Sequence, residues 1–519
     1  MSESVENAVV YLDYAATTPA DPLVIQAMSE CLGADGDFGN ASSLTHAFGM
    51  RAQKRVEKAR AQVAAFINAA PEDIFFTSGA TESNNLAILG VVRANADRGR
   101  HIVTTRIEHK AVLDPCKTLE KEGFTVTRLT PDRSGVISPE SVEAALRKDT
   151  VLVSVMYVNN EVGVIQDVRA ISALCRARGI AFHTDAVQAA GRLPLDVHEL
   201  DVDFLSFTAH KIYGPKGIGV LYVRRSARPL LKPLIFGGGQ ERGLRPGTLP
   251  THQIAGLGVA CELAGQQVEF EQARLTVLRD RLWSGLATQL PDIHLNAAAA
   301  PRVPAILNVS FEGVEGESLV TSLHEIAVST GSACNSASGD PSYVLRALGR
   351  DTQLAQSSLR FSMGRFTRER DIDAAVNAVV REVRRLRELS PRSAAQGQFF
   401  DPATMEAAQF EVAGEAESAD GEVIVRFHLL VNRSNVIAAR FKAYGCPHTL
   451  KTVEWLTGVL PGRARDALVP DGPASWARRL AVPVEKLGRL LVVEDALRVC
   501  LQQWSHLGLT SPPEHARVR

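Results

Sequence analysis

Lys211 stands at a place in the sequence where an ordinary surface lysine is unusual. It ends the stretch 206–211, Ser-Phe-Thr-Ala-His-Lys, directly after a predicted buried strand and beside a threonine and a histidine. The surrounding pattern alternates strands with helices, which predicts a mostly parallel sheet, and ligands collect at the carboxyl ends of strands in such sheets. The amine of Lys211 is therefore a candidate to form an imine with a carbonyl compound.

Three more clusters of polar residues follow predicted strands. The stretch 76–84 leaves a strand, passes a glycine and opens a helix with Thr, Glu and Ser, which suits a phosphate held by free N–H groups. A plain capped helix start explains that stretch equally well. Asp185 ends another strand, where its carboxylate would pair with a protonated ring nitrogen or cap a helix. His109 follows a third strand.

These groups together are the ones that pyridoxal phosphate requires: a lysine for the imine, a carboxylate for the ring nitrogen and a cup for the phosphate. The cup comes first along the chain, then Asp185, then Lys211 about 25 residues later, an order that suits this cofactor on an α/β sheet. The sequence thus predicts a pyridoxal phosphate site at one edge of the sheet.

Cys334 is the cysteine best suited to chemistry. It lies in the stretch 329–343 among glycine, serine and alanine residues. A buried structural cysteine is the alternative, but such a cysteine normally has large apolar neighbours, and these are missing here. An accessible nucleophile on a loop fits this composition better.

The composition bounds the class of protein. The 519 residues carry 57 Lys+Arg against 58 Asp+Glu, which gives no electrostatic footprint for direct nucleic-acid binding or an anionic membrane. The apolar runs are too short to span a membrane, and the acidic start lacks a secretory pattern. Seven scattered cysteines without CxxC spacing predict reduced thiols and no metal site. We expect a cytoplasmic protein without membrane attachment.

The chain divides by pattern into two parts. Strand-like stretches at 151–157, 180–183, 204–207 and 219–223 alternate with helical ones, and a long helix at 369–388 follows. A polar stretch with Pro, Gly and Ser then predicts a linker at 391–400. Residues 401–519 predict a small α+β domain, because two strand-like stretches, 423–431 and 436–444, precede helical segments.

Residues 9 to about 390 resemble the group I cysteine desulfurases, the NifS/IscS-like enzymes. The resemblance rests on the stretches 11–19, 105–112, 158–163, 209–217 and 237–248. It implies a pyridoxal phosphate-dependent transferase of fold type I, with large and small subdomains in residues 1–390, that acts as a homodimer.

The same resemblance implies a role for each matching residue. Lys211 would hold the cofactor covalently, and His109 would stack on its ring and help to move protons. Asp185 would pair with the ring nitrogen, and Gln188 would bond the ring hydroxyl. The phosphate would be surrounded by Ala80, Thr81, Thr208 and His210, and Thr248 would reach it from the partner subunit. Asn160 would lie beside both the cofactor and the substrate. Arg365 would bind the substrate carboxylate.

The implied reaction converts L-cysteine to L-alanine and leaves the sulfur on Cys334 as a persulfide for acceptor proteins such as an iron–sulfur scaffold. Two alternatives stay open. A selenocysteine lyase uses the same cofactor chemistry, and a non-catalytic regulatory homologue would keep the fold without the reaction. For Arg365 and its neighbour Arg360, solvated surface arginines are the alternative to a carboxylate clamp.

Residues from about 400 resemble, more weakly, the scaffold proteins of iron–sulfur cluster assembly, the IscU/NifU-N-like family. The matching stretches are 439–447 and 491–497. The family holds its cluster with three cysteines, of which only Cys446 is present; Asp420 and Arg489 stand at the other two positions. The resemblance thus implies a degenerate domain without a cluster. Cys446 is a possible sulfur acceptor; a docking domain and an inert domain are the alternatives.

Overall fold

The computed structural model describes residues 9–330, 341–390, 400, 404–405 and 408–507. The strands are β1 (Val10–Tyr11), β2 (Ile74–Thr77), β3 (His101–Thr105), β4 (Thr125–Leu129), β5 (Thr150–Ser154), β6 (Ala181–Asp185), β7 (Phe204–Thr208), β8 (Gly219–Val223), β9 (Ile293–Leu295), β10 (Ile306–Phe311), β11 (Ile326–Ala327), β12 (Ser329–Thr330), β13 (Ser358–Ser362), β14 (Phe410–Glu417), β15 (Ile424–Val431) and β16 (Val436–Tyr444).

The helices are α1 (Pro22–Ser29), α2 (Ala47–Phe66), α3 (Ala80–Ala94), α4 (Lys110–Lys121), α5 (Pro139–Ala145), α6 (Val168–Ala177), α7 (Val197–Leu200), α8 (Thr251–Ala287), α9 (Gly316–Ser322), α10 (Tyr343–Ala347), α11 (Thr352–Gln356), α12 (Glu369–Leu389), α13 (Pro447–Val459), α14 (Pro473–Leu480) and α15 (Leu487–Leu507). Within the described residues, none of these helices is long and apolar enough to cross a membrane.

The largest sheet has seven strands in the order β2-β8-β7-β6-β5-β3-β4. The neighbours from β7 to β4 pair in parallel, and β8 runs antiparallel to both of its neighbours. Most of these strands are buried along their whole length, as expected for a parallel sheet covered on both faces. The prediction of a mostly parallel α/β sheet is confirmed, and the predicted strands at 151–157, 180–183, 204–207 and 219–223 coincide with β5 to β8.

Strand direction brings the polar segments together. Because β2, β3, β5, β6 and β7 point the same way, their carboxyl ends share one edge of the sheet. The chain after each end leads into the stretches that the sequence marked as candidate sites. The edge is therefore where a ligand would meet all of them.

A second sheet supplies the other side of this edge. Its strands lie in the order β12-β13-β10-β9, and β13 pairs antiparallel with both β12 and β10. The amino end of the chain joins the same region, since β1 pairs with β11 and Asp13 forms a bridge with Ser362 of β13.

Contacts between Cα atoms divide the chain into two compact units. The first comprises residues 1–287, 294–310 and 326–375, and the second comprises 288–293, 311–325 and 376–519. The second unit thus takes in segments that precede residue 390. Residues 391–399 of the predicted linker lie outside the described residues, and the domain division at 390 stays a prediction.

The carboxyl-terminal part of the second unit is an antiparallel sheet with helices beside it. The sheet has the order β14-β15-β16, and β15 and β16 form the predicted hairpin. Buried side chains of β15 and of α13 to α15, among them Phe427, Leu456, Trp476 and Trp504, make one hydrophobic core. The α+β character predicted for this region is present, and β14 is a strand that the pattern did not reveal.

Candidate active site

A cavity of about 650 Å³ opens at the carboxyl edge of the large sheet. Its wall comes from the segments that follow β2, β3, β5, β6 and β7, together with residues 15–17. Most of the residues predicted from the sequence line it: Ala80, Thr81, His109, Asn160, Asp185, Gln188, Thr208, His210 and Lys211.

Lys211 is placed by the turn that follows β7. It ends a 3-10 helix, Ala209–Lys211, that begins immediately after the strand. Its Nζ atom donates to the carbonyl oxygens of Ala15 at 2.5 Å and of Ala16 at 2.6 Å. The amino-terminal segment therefore fixes the amine at the wall of the cavity.

Asp185 ends β6 and is 4% exposed. Its Oδ2 accepts from Asn84 Nδ2 at 2.7 Å, and its Oδ1 accepts from the backbone N–H of Val187 at 3.0 Å. Burial raises the pKa of this carboxyl, while the nearby His109 and Lys211 act in the opposite direction. A cationic N–H in the cavity would offset the cost of burying the charge.

A cradle for a phosphate lies at the start of α3. Gly79, at φ 152°, is the N-cap residue and makes no side-chain capping bond, so the first N–H groups of the helix are left for a ligand. A Cβ on Gly219 would lie 2.6 Å from the Cα of Gly79, so only glycine fits at this crossing. Glu82, which also lines the cavity, accepts from the Ser78 N–H at 2.6 Å.

Thr208 and His210 border the same part of the cavity. Thr208 Oγ1 donates to the Ile218 carbonyl at 3.0 Å, and His210 Nδ1 lies 3.1 Å from Thr17 Oγ1. Burial, together with the charges of Lys211 and Lys216, lowers the pKa of His210 to about 4. His210 is therefore neutral near pH 7 and acts as a hydrogen-bonding group rather than a cation.

His109 and Gln188 are held by local bonds. His109 is the N-cap of α4, and its Nδ1 accepts from the Ala111 N–H at 3.1 Å. That bond assigns the remaining ring proton of neutral His109 to Nε2. Gln188 donates from Nε2 to the Ala15 carbonyl at 2.9 Å, and its Oε1 accepts from Arg192 at 2.6 Å.

The structure does not bring Arg365 to this cavity. Its guanidinium pairs with Asp21 at 2.8 Å and with Glu271 at 2.6 Å. Arg360, five residues earlier and in the middle of β13, lines the cavity and is 3% exposed. The structure therefore places Arg360 at the cavity, and not the Arg365 chosen from the sequence, because a strand residue reaches it and the residue in the following turn does not.

Arg360 has donors left for a ligand. It pairs with Asp13 at 2.7 Å, and its Nη1 donates to the Asn160 carbonyl at 3.0 Å. Its buried Nε has no hydrogen-bond partner among the described residues, nor has the buried Oδ1 of Asn160. Unsatisfied buried polar atoms in a cavity wall indicate a site that binds a polar ligand.

Two further predicted residues lie outside this cavity, and a third is not described. Thr248 is exposed and does not line the cavity of its own chain. Cys334 falls outside the described residues. Cys446 begins α13 in the second compact unit and is fully buried.

Two contributors to the site escaped sequence analysis. Asn84, the last residue of the predicted phosphate stretch, contacts Asp185 instead, because one turn of α3 carries it past the cup. Tyr343 lines the cavity and donates to the Glu108 carbonyl at 2.7 Å. A side-chain pattern within one element gives no sign of either contact.

The chain is similar to known proteins over most of its length. The aminotransferase class-V family matches residues 10–375. The chain is 55% identical over 382 residues to the cysteine desulfurase IscS of Serratia proteamaculans, a match that spans 74% of this chain and 94% of that protein. The IscS of Pseudomonas aeruginosa is 56% identical over the same length and coverage.

Solved structures agree with this similarity. A NifS-like protein matches with a TM-score of 0.66 and 37% identity over 72% of this chain and 98% of its own. A structure described as SspA in complex with cysteine matches with a TM-score of 0.62 and 40% identity over 68% and 98%. The chain therefore belongs to the class-V aminotransferase family and, within it, to the cysteine desulfurases.

Proposed function

We propose that this chain converts L-cysteine to L-alanine with pyridoxal phosphate and collects the sulfur on Cys334 as a persulfide. The observation that carries the proposal is the convergence of Lys211, Asp185 and Arg360 on one cavity in a chain that belongs to the cysteine desulfurases. The test is to supply purified protein with L-cysteine and with selenocysteine in parallel. Alanine formed only from selenocysteine would favour the lyase alternative, and none from either would favour a regulatory homologue.

The cavity fits the cofactor. The side-chain oxygen of Asn84, Oδ1, is buried without a partner among the described residues. The neighbouring Asp185 carboxylate accepts from Asn84 Nδ2 and the Val187 N–H, and none of its hydrogen-bond donors among the described residues is a cation. The cradle at Gly79, the Gln188 side chain and the Lys211 amine surround the same space. When bound, pyridoxal phosphate supplies a ring that withdraws electrons from the substrate Cα.

The residues of the chain divide the remaining work. Asp185 keeps a negative charge for the ring nitrogen, and Lys211 Nζ and His109 Nε2 move protons near the substrate Cα. The thiolate of Cys334 attacks the substrate sulfur. An S–S bond forms between the Cys334 sulfur and the substrate sulfur. The substrate Cβ–S bond breaks, and its electron pair goes to Cβ. Cβ takes up a proton, and the product leaves as alanine.

Arg360 is the proposed contact for the substrate carboxylate. Replacing it with lysine keeps a positive charge but removes the fork of donors, so we expect the KM for L-cysteine to rise by about 10–100-fold, the value of one charge-assisted hydrogen bond. Steady-state kinetics of alanine formation measures this. Arg365→Lys is the matched control and should leave KM within about 3-fold. A rise confined to Arg365→Lys would restore Arg365 to the substrate.

A homodimer is the proposed assembly, with Thr248 reaching the phosphate of the partner's cofactor. Large apolar side chains that are exposed beside the 237–248 stretch support it, since Phe236 is 82% and Ile235 is 52% exposed. Other exposed apolar side chains in the first unit include Leu23, Leu44 and Met50. Light scattering on the purified protein tests this assembly. We place the protein in the cytoplasm, with L-cysteine as its small-molecule partner.

The carboxyl-terminal region is proposed to be a degenerate scaffold domain of the IscU/NifU-N-like kind. Its support is that Arg489 and Cys446, two of the three positions given by the resemblance, interact with each other. Arg489 Nη2 pairs with Glu422 Oε2 at 2.9 Å. Although burial opposes it, the nearby Cys446 and Glu422 raise the pKa of Arg489. An arginine thus stands beside Cys446 at a position where the resemblance implies a thiolate ligand.

The surroundings of Cys446 do not favour sulfur acceptance by this domain. Cys446 is fully buried, and its Sγ lies 3.5 Å from Thr449 Oγ1. In the same unit, Ser318 Oγ of α9 donates to the Gly445 carbonyl at 2.7 Å, and Lys486 pairs with Glu317 at 3.0 Å. The corner that carries Cys446 therefore packs on α9, and a persulfide donor reaches the thiol only if the corner opens.

A further inference from the structure

Glu108 is a buried carboxyl group that the proposed reaction does not use. It lies between β3 and α4, directly before His109, and is 0% exposed. Its Oε1 accepts from the Met156 N–H at 2.9 Å and from Thr105 Oγ1 at 2.9 Å. Met156 and His109 both line the cavity, so Glu108 lies immediately behind its wall.

The contacts of Glu108 fit a protonated acid. Both hydrogen bonds go to Oε1, and Oε2 is buried without a partner among the described residues. An ionised carboxylate buried in a protein normally needs donors or a cation around both oxygens. A protonated acid would carry its O–H on Oε2, and leaving one neutral donor unpaired costs less than burying a full charge without a cation.

The groups that face Glu108 do not favour its ionisation. The Asp185 carboxylate approaches from β6, and the Cys116 thiol approaches from α4. His109 is the adjacent residue, and Tyr343 of α10 bonds the Glu108 backbone carbonyl. Burial raises the pKa of Glu108 to about 8, and Asp185 adds to the rise, while the bonds from Met156 and Thr105 oppose it.

We propose that Glu108 is a positioning residue that works as a neutral acid: it ties the end of β3 to the segment after β5 and keeps a second negative charge away from Asp185. This inference rests on the proposed function. If Glu108 ionised, a second carboxylate charge would stand near Asp185. Two anions would then face the single ring nitrogen of the cofactor that Asp185 alone is proposed to pair with.

Glutamine is the decisive substitution, because it reproduces the neutral acid. In Glu108→Gln, the side-chain oxygen keeps the bonds to Met156 and Thr105, and the NH₂ group takes the place of the OH. We expect kcat within about 3-fold of wild type, whereas Glu108→Ala leaves both donors unpaired and should lose about 10–100-fold. Loss of activity in Glu108→Gln equal to that in Glu108→Ala would overturn the proposal.

The pH profile separates positioning from packing. Wild-type Glu108 loses its proton as the pH rises through its pKa of about 8, so kcat should fall across this range in wild type relative to Glu108→Gln. The two proteins share all other titratable groups, so a difference between their profiles belongs to Glu108. Profiles that remain parallel above pH 8 would contradict the assigned protonation state.

Stability of the holoenzyme gives a readout that does not depend on turnover. Between the unfolded pKa near 4.5 and the folded pKa of about 8, the folded chain binds the extra proton, so stability decreases as pH rises through this window. The urea midpoint of wild type should therefore fall more between about pH 5.5 and pH 8.5 than that of Glu108→Gln. Glu140→Gln, at an exposed position in α5, is the control and should follow wild type. Equal falls in wild type and Glu108→Gln would overturn the inference even if the protein desulfurates cysteine.

Discussion

Replacing Lys211 with alanine is expected to abolish alanine formation from L-cysteine, by at least about 10³-fold, and to remove the visible absorbance of bound cofactor. Lys211 Nζ is fixed at the cavity wall by the carbonyls of Ala15 and Ala16, in the position from which an amine can condense with the cofactor aldehyde. The absorbance spectrum and the alanine assay measure the two effects separately.

Lys216→Ala is the matched control for this prediction. Lys216 lines the same cavity but is exposed. We expect this variant to keep the visible absorbance and to retain activity within about 10-fold, because the exposed charge that it removes acts on His210 and has no proposed part in forming the imine. A Lys211→Ala protein that stays coloured and active, or an equal loss in Lys216→Ala, would contradict the assignment.

The second large effect is expected for Cys334→Ser. A hydroxyl cannot take sulfur from the substrate, so persulfide on the chain should disappear and alanine formation should fall by about 10³-fold or more. The cofactor absorbance should remain as in wild type, because no role in holding the cofactor is proposed for Cys334. Mass spectrometry after incubation with sulfur-labelled L-cysteine locates the label in each protein.

Labelling of Cys446 tests whether the carboxyl-terminal domain accepts sulfur. In wild type we expect label on Cys334 and none on Cys446, since Cys446 is fully buried. Cys446→Ser should then leave the labelling of Cys334 and the rate of alanine formation unchanged. Label on Cys446 that requires an intact Cys334 would establish the tethered acceptor.

The sequence was sufficient for most of the site because strand ends carry its residues. Lys211, Asp185 and His109 each follow a strand of one parallel sheet, and parallel strands bring their carboxyl ends together without any knowledge of packing. The family resemblance then supplied roles that residue types alone leave open, such as those of Gln188 and Asn160.

The choice between two arginines needed the structure. Arg360 and Arg365 are both near β13, and a pattern of residue types does not reveal which of them reaches the cavity. The partners of Arg360 are Asp13 and Asn160, which are 347 and 200 residues away in sequence. The sequence also did not reveal the division into two compact units. Segments 288–293 and 311–325 belong to the same unit as residues 376–519, although other segments separate them along the chain.

The amino-terminal wall of the cavity has a consequence for synthesis on the ribosome. Asp13 bonds to Arg360, and the Ala15 N–H donates to Ser362 Oγ, each across 347 residues. A nascent chain that ends before β13 contains Lys211 but lacks Arg360 and Ser362, the partners of Asp13 and Ala15. Polypeptides that a translation block releases before β13 should therefore be colourless and unable to consume cysteine. Persulfide formation would then be confined to chains that extend beyond β13.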